Sequence, residues 1–255
     1  VNLSLIEYTL AMTGSFVAGA INTLAGNGSV ITLSILTDLI GLPANVANGT
    51  NRVGVLLQAA GSGKGFAKNK VTDLSKSKHI IFLTIIGAIV GVLVATQVSN
   101  DQFMFVFKYL MIIMLLVILV KPERWLQDSD VITLPVWLST PVFLALGFYG
   151  GFIQMGMGIF FLAVLVLLSK YSMMEANAIK TIVIFIYTMV VLAIFAWKGL
   201  VNWEVGIVMA VGQTLGGYLT AAYATKVPNI NTWAYRLLVF IILFAILTQF
   251  GIINI

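Results

Sequence analysis

Two basic residues, Arg52 and Lys180, stand inside otherwise apolar stretches of the chain. An ionised side chain in a membrane helix costs at least ~2.5 kcal/mol on insertion scales, so it usually faces a cavity, a partner or a substrate. Setting Ala47-Asn48 against Ala176-Asn177 places Asn51 opposite Lys180 with Arg52 beside it, so the two cations hold matching places in two copies of one pattern. Two cations with few carboxylates nearby favour an anion between them. Plainer readings stand beside this one: Glu175 lies at a spacing that can pair it with Lys180, and Arg52 can snorkel to an interface. Asn48, Thr50, Asn51, Asn177 and Thr181 flank the cations, where they line the same cavity or bond neighbouring helices.

A second anion-friendly element is a pair of helix breaks. Gly26-Asn27-Gly28-Ser29 interrupts one apolar segment, and Gly156-Met157-Gly158 interrupts another. Backbone groups freed in hydrocarbon cost several kcal/mol each unless protein, water or ligand satisfies them, so such breaks usually mark polar binding sites. A packing kink is the bland alternative. A helix restarting at Ser29 or Ile159 presents N–H groups and a positive dipole end to an anion. Asn22, Thr23, Asn27, Ser29 and Gln154 can add side-chain donors, with Gly28, Gly156 and Gly158 at the breaks themselves. Gln58, Gln213 and Thr214 read as contacts between helices, Met155 and Met157 as gap fillers.

These elements must be carried by a membrane protein. Of 255 residues 60% are hydrophobic and only 9% charged, against roughly 25% charged in a soluble domain. The apolar runs predict an all-α polytopic protein with about eight to ten helical segments. There is no cysteine, and the lone histidine, His79, begins a span, so thiol chemistry, a His-based metal site and a catalytic triad lack their parts. No cofactor is implied. Glu7, Asp38, Glu175 and Glu204 all lie near span ends, which argues against a carboxylate proton relay. The net charge of +5 sits mainly in loops, a mark of membrane orientation rather than of nucleic acid. Trp125, Trp197 and Trp203 read as interfacial anchors.

In order, the first copy comprises a segment from Leu5 to Asn22, the break, a short piece from Val30 to Ile40 ended by Gly41-Leu42-Pro43, and a helix from Ala44 to about Gly63. A lysine-rich loop, Lys64 to Lys78, precedes spans at His79 to Val98 and Phe103 to Val120. The second runs from Leu134 to Gln154, Ile159 to Leu168, a helix carrying Glu175 to Thr181, and spans at Trp203 to Thr225 and Thr232 to Gly251. Residues 1–120 and 134–255 are thus two repeats joined by a charged linker, 121–133. Each is a broken or re-entrant helical hairpin followed by about three transmembrane helices. If the hairpin returns to its starting side, the repeats are inverted. Lys64, Lys68, Lys70, Lys76, Lys78, Lys121, Arg124, Lys170 and Lys226 then share one face, with Lys198 as the loop cation opposite. The positive-inside rule prefers this arrangement, with the linker cytoplasmic and both termini outside, in a bacterial inner membrane.

At these residues the sequence resembles the sulfite exporter TauE/SafE family of permeases. The likeness lies in Gly19-Ala20-Ile21-Asn22 with Gly26-Asn27-Gly28, in Leu42-Pro43, and in Ala47-Asn48-Gly49-Thr50-Asn51-Arg52. It recurs in Gly150-Gly151-Phe152 with Gly156-Met157-Gly158, in Glu175-Ala176 to Lys180, and in Gly199-Leu200-Val201-Asn202-Trp203. Asn27 and Ser29 depart from the family's glycine-rich first break, and Ala178-Ile179 replaces a glycine-threonine pair. The resemblance implies transport of a sulfur-containing anion such as sulfite, a sulfonate or thiosulfate, by import or export. Together these readings describe a secondary transporter working by alternating access, with a small sulfur anion and the lipid bilayer as its partners. Whether it is a monomer or a homo-oligomer stays open. A passive anion channel is the alternative, since a charged constriction also conducts. An intramembrane enzyme lacks catalytic equipment, and no phosphate-binding loop for ATP is present.

Overall fold

The computed structural model describes residues 4–68, 78–99, 131–132 and 134–230, with scattered positions in 101–119 and 232–247. The spans expected over 103–120 and 232–251, and the linker, lie largely outside the described residues, which contain helices and no strand.

Helix α1, Leu5–Ala25, begins with a capping box: Glu7 N–H donates to Ser4 Oγ, and Ser4 N–H donates to the Glu7 carboxylate at 2.7 Å. It ends at Gly26, whose φ of 78° is left-handed and therefore suits glycine. Helix α2, Ser29–Ser34, follows and loosens into a π-helical turn at Ile35–Leu39. Gly41 is again left-handed, and the Pro43 carbonyl accepts the Ala47 N–H at the start of α3, Ala44–Lys68. Lys64 and Lys68 thus belong to a helix rather than to a loop. Helix α4 spans Lys78–Ala95.

The same succession returns later in the chain. Helix α5, Val136–Phe152, breaks at Gln154 and Gly156, both with positive φ. Helix α6, Met157–Ala163, passes into a second π-helical turn at Val164–Leu168. It starts at Met157 rather than at the expected Ile159, because the Met157 N–H already bonds the Gln154 carbonyl. Lys170 takes the left-handed place held earlier by Gly41, and a Ser172–Glu175 capping box opens α7, Met173–Trp197. Helix α8, Trp203–Tyr223, is capped by Asn202.

Each short helix folds back along the helix before it. A methyl group on Gly28 would lie 2.0 Å from the Ala18 carbonyl oxygen, while Ile35 reaches back to within 2.5 Å of where a Gly14 Cβ would be. In the second succession the Phe143 and Phe161 rings lie 5.8 Å apart, and Tyr149 meets Phe160 edge-on at 5.4 Å.

Packing crosses between the two successions. Helix α1 lies against α8 and α4 against α5, while α3 packs on α7 and α8. The α4–α5 contact is backbone on backbone: a Cβ on Gly91 would sit 2.0 Å from the Phe148 carbonyl oxygen, and one on Gly151 2.1 Å from that of Ala88. The outer surface is apolar, with Leu10, Phe16, Phe82, Val90, Ile207 and Val211 exposed. Helices α4, α7 and α8 are each long and apolar enough to cross a bilayer. Helix α3 is as long as α7 but carries the run of amides, arginine and lysine that lowers its hydropathy. An apolar outer surface and three helices of spanning length and hydropathy make this an integral membrane protein.

Candidate anion site at the two helix breaks

The two breaks meet at their glycines. A Cβ on Gly26 would fall 2.6 Å from the Gly158 carbonyl carbon, and one on Gly158 2.5 Å from the Gly26 oxygen, so any side chain at either position would separate the breaks.

Both cations are fully withdrawn from the surface, Arg52 at 0% and Lys180 at 1% exposure, which rules out snorkelling. From α3 the Arg52 guanidinium donates to the Gly150 carbonyl at 2.7 Å, the Gly151 carbonyl at 3.1 Å, Asn48 Oδ1 at 3.2 Å and Gln154 Oε1. Its carbon lies 5.7 Å from the centre of the Phe195 ring. From α7 the Lys180 ammonium donates to the Asn22 carbonyl at 3.0 Å, the Thr23 carbonyl at 3.2 Å and Asn177 Oδ1 at 2.6 Å. The last carbonyls of a helix carry the negative end of its dipole, which a cation stabilises. Each cation therefore closes the broken helix of the other succession: Arg52 the end of α5, Lys180 the end of α1. The amides follow suit, since Asn48 Nδ2 donates to the Phe152 carbonyl and Asn177 Nδ2 to that of Leu24, each at 3.0 Å.

The alternative pairing of Glu175 with Lys180 gives way to another geometry. Glu175 Oε2 accepts from the Ser172 N–H and hydroxyl at the helix start, and Lys180 turns to neutral oxygens. Two buried positive charges are thus held by dipoles alone in these contacts, which leaves the site electrostatically suited to an anion.

The remaining residues divide. Asn22 Nδ2 donates to Gln58 Oε1 at 2.7 Å, and Gln58 in turn donates to Thr23 and Ser62, the role between helices expected of Gln58. Asn51 Oδ1 accepts from the Thr32 hydroxyl at 2.7 Å, joining α3 to α2. Gln154 also accepts from the Tyr187 hydroxyl at 3.2 Å. Ser29 and Thr181 are buried beside the first break and Lys180 respectively. Thr50 points elsewhere: its hydroxyl accepts the Asn202 N–H before α8. Helix-start N–H groups are partly used locally, Val30 bonding the Asn27 carbonyl and Ile31 that of Gly28. Sequence reasoning passed over Tyr187 and Phe195; Tyr187, two turns after Lys180, shares its helical face and was detectable by period.

Asn27 stands apart. It is wholly buried, and neither Nδ2 nor Oδ1 has a partner. Asn51 Nδ2 and Arg52 Nε are also unpartnered. A buried polar atom without a bond costs about 1–3 kcal/mol, so Asn27 marks a place where the chain itself leaves bonding capacity open.

A family profile described as sulfite exporter TauE/SafE matches residues 11–250. A Sinorhizobium protein named probable membrane transporter protein ORF9 is 28% identical over 210 residues, covering 82% of this chain and 80% of its own. The probable membrane transporter protein of Haemophilus influenzae is 27% identical over 206 residues, covering 81% and 80%. The probable membrane transporter protein YfcA of Escherichia coli K12 is 31% identical over 208 residues, covering 79% and 75%. No solved structure gave a significant match. With the family profile spanning both breaks and both buried cations, the chain belongs to the sulfite exporter TauE/SafE family.

Proposed function

We propose that the protein is a secondary permease that carries a sulfur-containing anion such as sulfite, a sulfonate or thiosulfate across a bacterial inner membrane. Its two repeats are inverted, its termini lie outside, and access alternates as one repeat moves against the other. The observation that carries this reading is the reciprocal closure of each broken helix by a buried cation of the other repeat, with neutral oxygens as their partners. The anion binds where the breaks meet, in the field of Arg52 and Lys180. Asn27, Asn51, Ser29, Gln154, Asn22, Asn177 and Thr181 line or support that place, and Gly28, Gly156 and Gly158 shape it. Fold-back of α2 on α1 supports the inverted arrangement, because a hairpin that returns leaves each repeat an odd number of crossings.

Sulfite counterflow in proteoliposomes tests the reading. Saturable uptake stimulated by sulfite on the far side is expected, and Arg52→Ala and Lys180→Ala should each abolish it. Linear uptake without that stimulation would mean a passive channel, and unchanged flux in both variants would reject the site.

A further inference from the structure

Asn27 is the one described residue whose side-chain amide is buried with both of its ends unpartnered. A carboxamide sets a donor and an acceptor side by side. Either orientation of this amide therefore leaves one of each to be satisfied at the break, next to Gly26 where the two successions touch. An ordinary oxyanion offers acceptors alone and would bring an oxygen lone pair against the amide oxygen. The edge that satisfies both ends at once is an acid edge, HO–X–O⁻: its oxygen accepts from the amide N–H while its hydroxyl donates to the amide oxygen.

We infer that the permease takes its substrate as the singly protonated oxyanion, hydrogen sulfite rather than sulfite, with Asn27 as the residue that selects the protonation state. The inference rests on the anion-transport reading above and deepens it. The negative charge that remains on hydrogen sulfite lies in the field of Lys180, which bonds the Asn22 and Thr23 carbonyls just before the break, and of Arg52 on α3. These two, with Tyr187 on α7 and half-buried Tyr149 on α5, are the ionisable groups withdrawn from the surface beside the breaks. The carboxylates on the same elements lie at their far ends, Glu7 and Glu175 in the capping boxes that open α1 and α7 and Asp38 exposed in the π-helical turn after α2. Tyr187 donates to Gln154, and Tyr149 to the Met155 carbonyl. None of the four groups beside the breaks is a carboxylate or a histidine. The proton therefore travels on the substrate: one enters with each hydrogen sulfite and leaves with it, with no relay through the protein.

Calorimetric titration of the purified full chain with sulfite at about pH 6 and about pH 8, beside methanesulfonate, which stays ionised at both, tests this. Apparent sulfite affinity should fall roughly tenfold across that interval as hydrogen sulfite is depleted, while methanesulfonate binds weakly and without a slope. Asn27→Leu removes an unsatisfied amide for an apolar side chain of similar size, a change that folded proteins accept; it should flatten the sulfite slope. Sulfite affinity that is level or rises with pH overturns the inference and leaves the transport reading standing. Methanesulfonate binding as tightly as sulfite at the lower pH also overturns it. A slope retained in Asn27→Leu would mean that Asn27 holds ordered water only. If neither anion binds at either pH, the transport reading falls and takes the inference with it. Should Asn27→Leu fail to fold, the wild-type comparison still decides.

Discussion

Lys180 and Asn177 act as one unit on the end of α1, since the amide oxygen takes the ammonium while the amide nitrogen reaches the Leu24 carbonyl. Residues that share a bond lose it only once, so their effects should not add. Lys180→Met and Asn177→Ala combined should therefore cost about 1–2 kcal/mol less than the sum of the separate changes, read as reversible unfolding in mixed micelles. Additive costs would mean the bond contributes little. The cations themselves were legible in the sequence because a charge in an apolar run is expensive and needs a reason. Their partners were not, because a backbone carbonyl leaves no mark in the residue type. For the same reason Glu175 looked like a partner of Lys180, although a serine three residues earlier claims it. Asn27 was legible as a donor, but only burial showed that both ends of its amide stay open.

At the scale of elements, Gly41 and Lys170 occupy the same turn in the two successions, at φ 73° and 57°. A left-handed backbone costs a side-chain-bearing residue about 1–2 kcal/mol, partly offset by the chain entropy of glycine. Lys170→Gly should therefore raise stability by up to about 1 kcal/mol and Gly41→Ala lower it similarly, as thermal midpoints would show. A Cβ at Gly41 meets no atom within 4 Å, so the second effect comes from the backbone alone. Glycines inside helices separate just as clearly. Gly91→Leu drives a side chain into the Phe148 carbonyl and should abolish monodisperse protein on size-exclusion chromatography. Gly63, inside α3 with open space around it, should accept alanine with a gain of up to about 1 kcal/mol. The breaks announced themselves through glycine, whereas the π-helical turns at Ile35–Leu39 and Val164–Leu168 did not, because no residue type signals them. Helix α3 ran on to Lys68 past the first lysine of the expected loop, since lysine is a good helix former.

For the whole molecule, the absence of native cysteine allows single cysteines to report orientation without a background. Cysteine at position 170 should react with an impermeant maleimide from the cytoplasmic side, and cysteine at 198 from the outside; labelling from one side would remove the inverted arrangement. The return of a break followed by a short helix was legible from glycines in matching order, but the packing of α1 on α8 and α4 on α5 was not. Interfaces made of glycine against main chain have no complementary residue types to read. The crossed closure of the breaks has a consequence for biogenesis. As the chain leaves the ribosome, α1 and its hairpin enter the bilayer long before Lys180 is synthesised, and the Asn22 and Thr23 carbonyls wait without their cation. The end of α1 thus gains its cation only when the C-terminal half arrives, and nascent chains cut short before α7 should be ready substrates for membrane quality-control proteases.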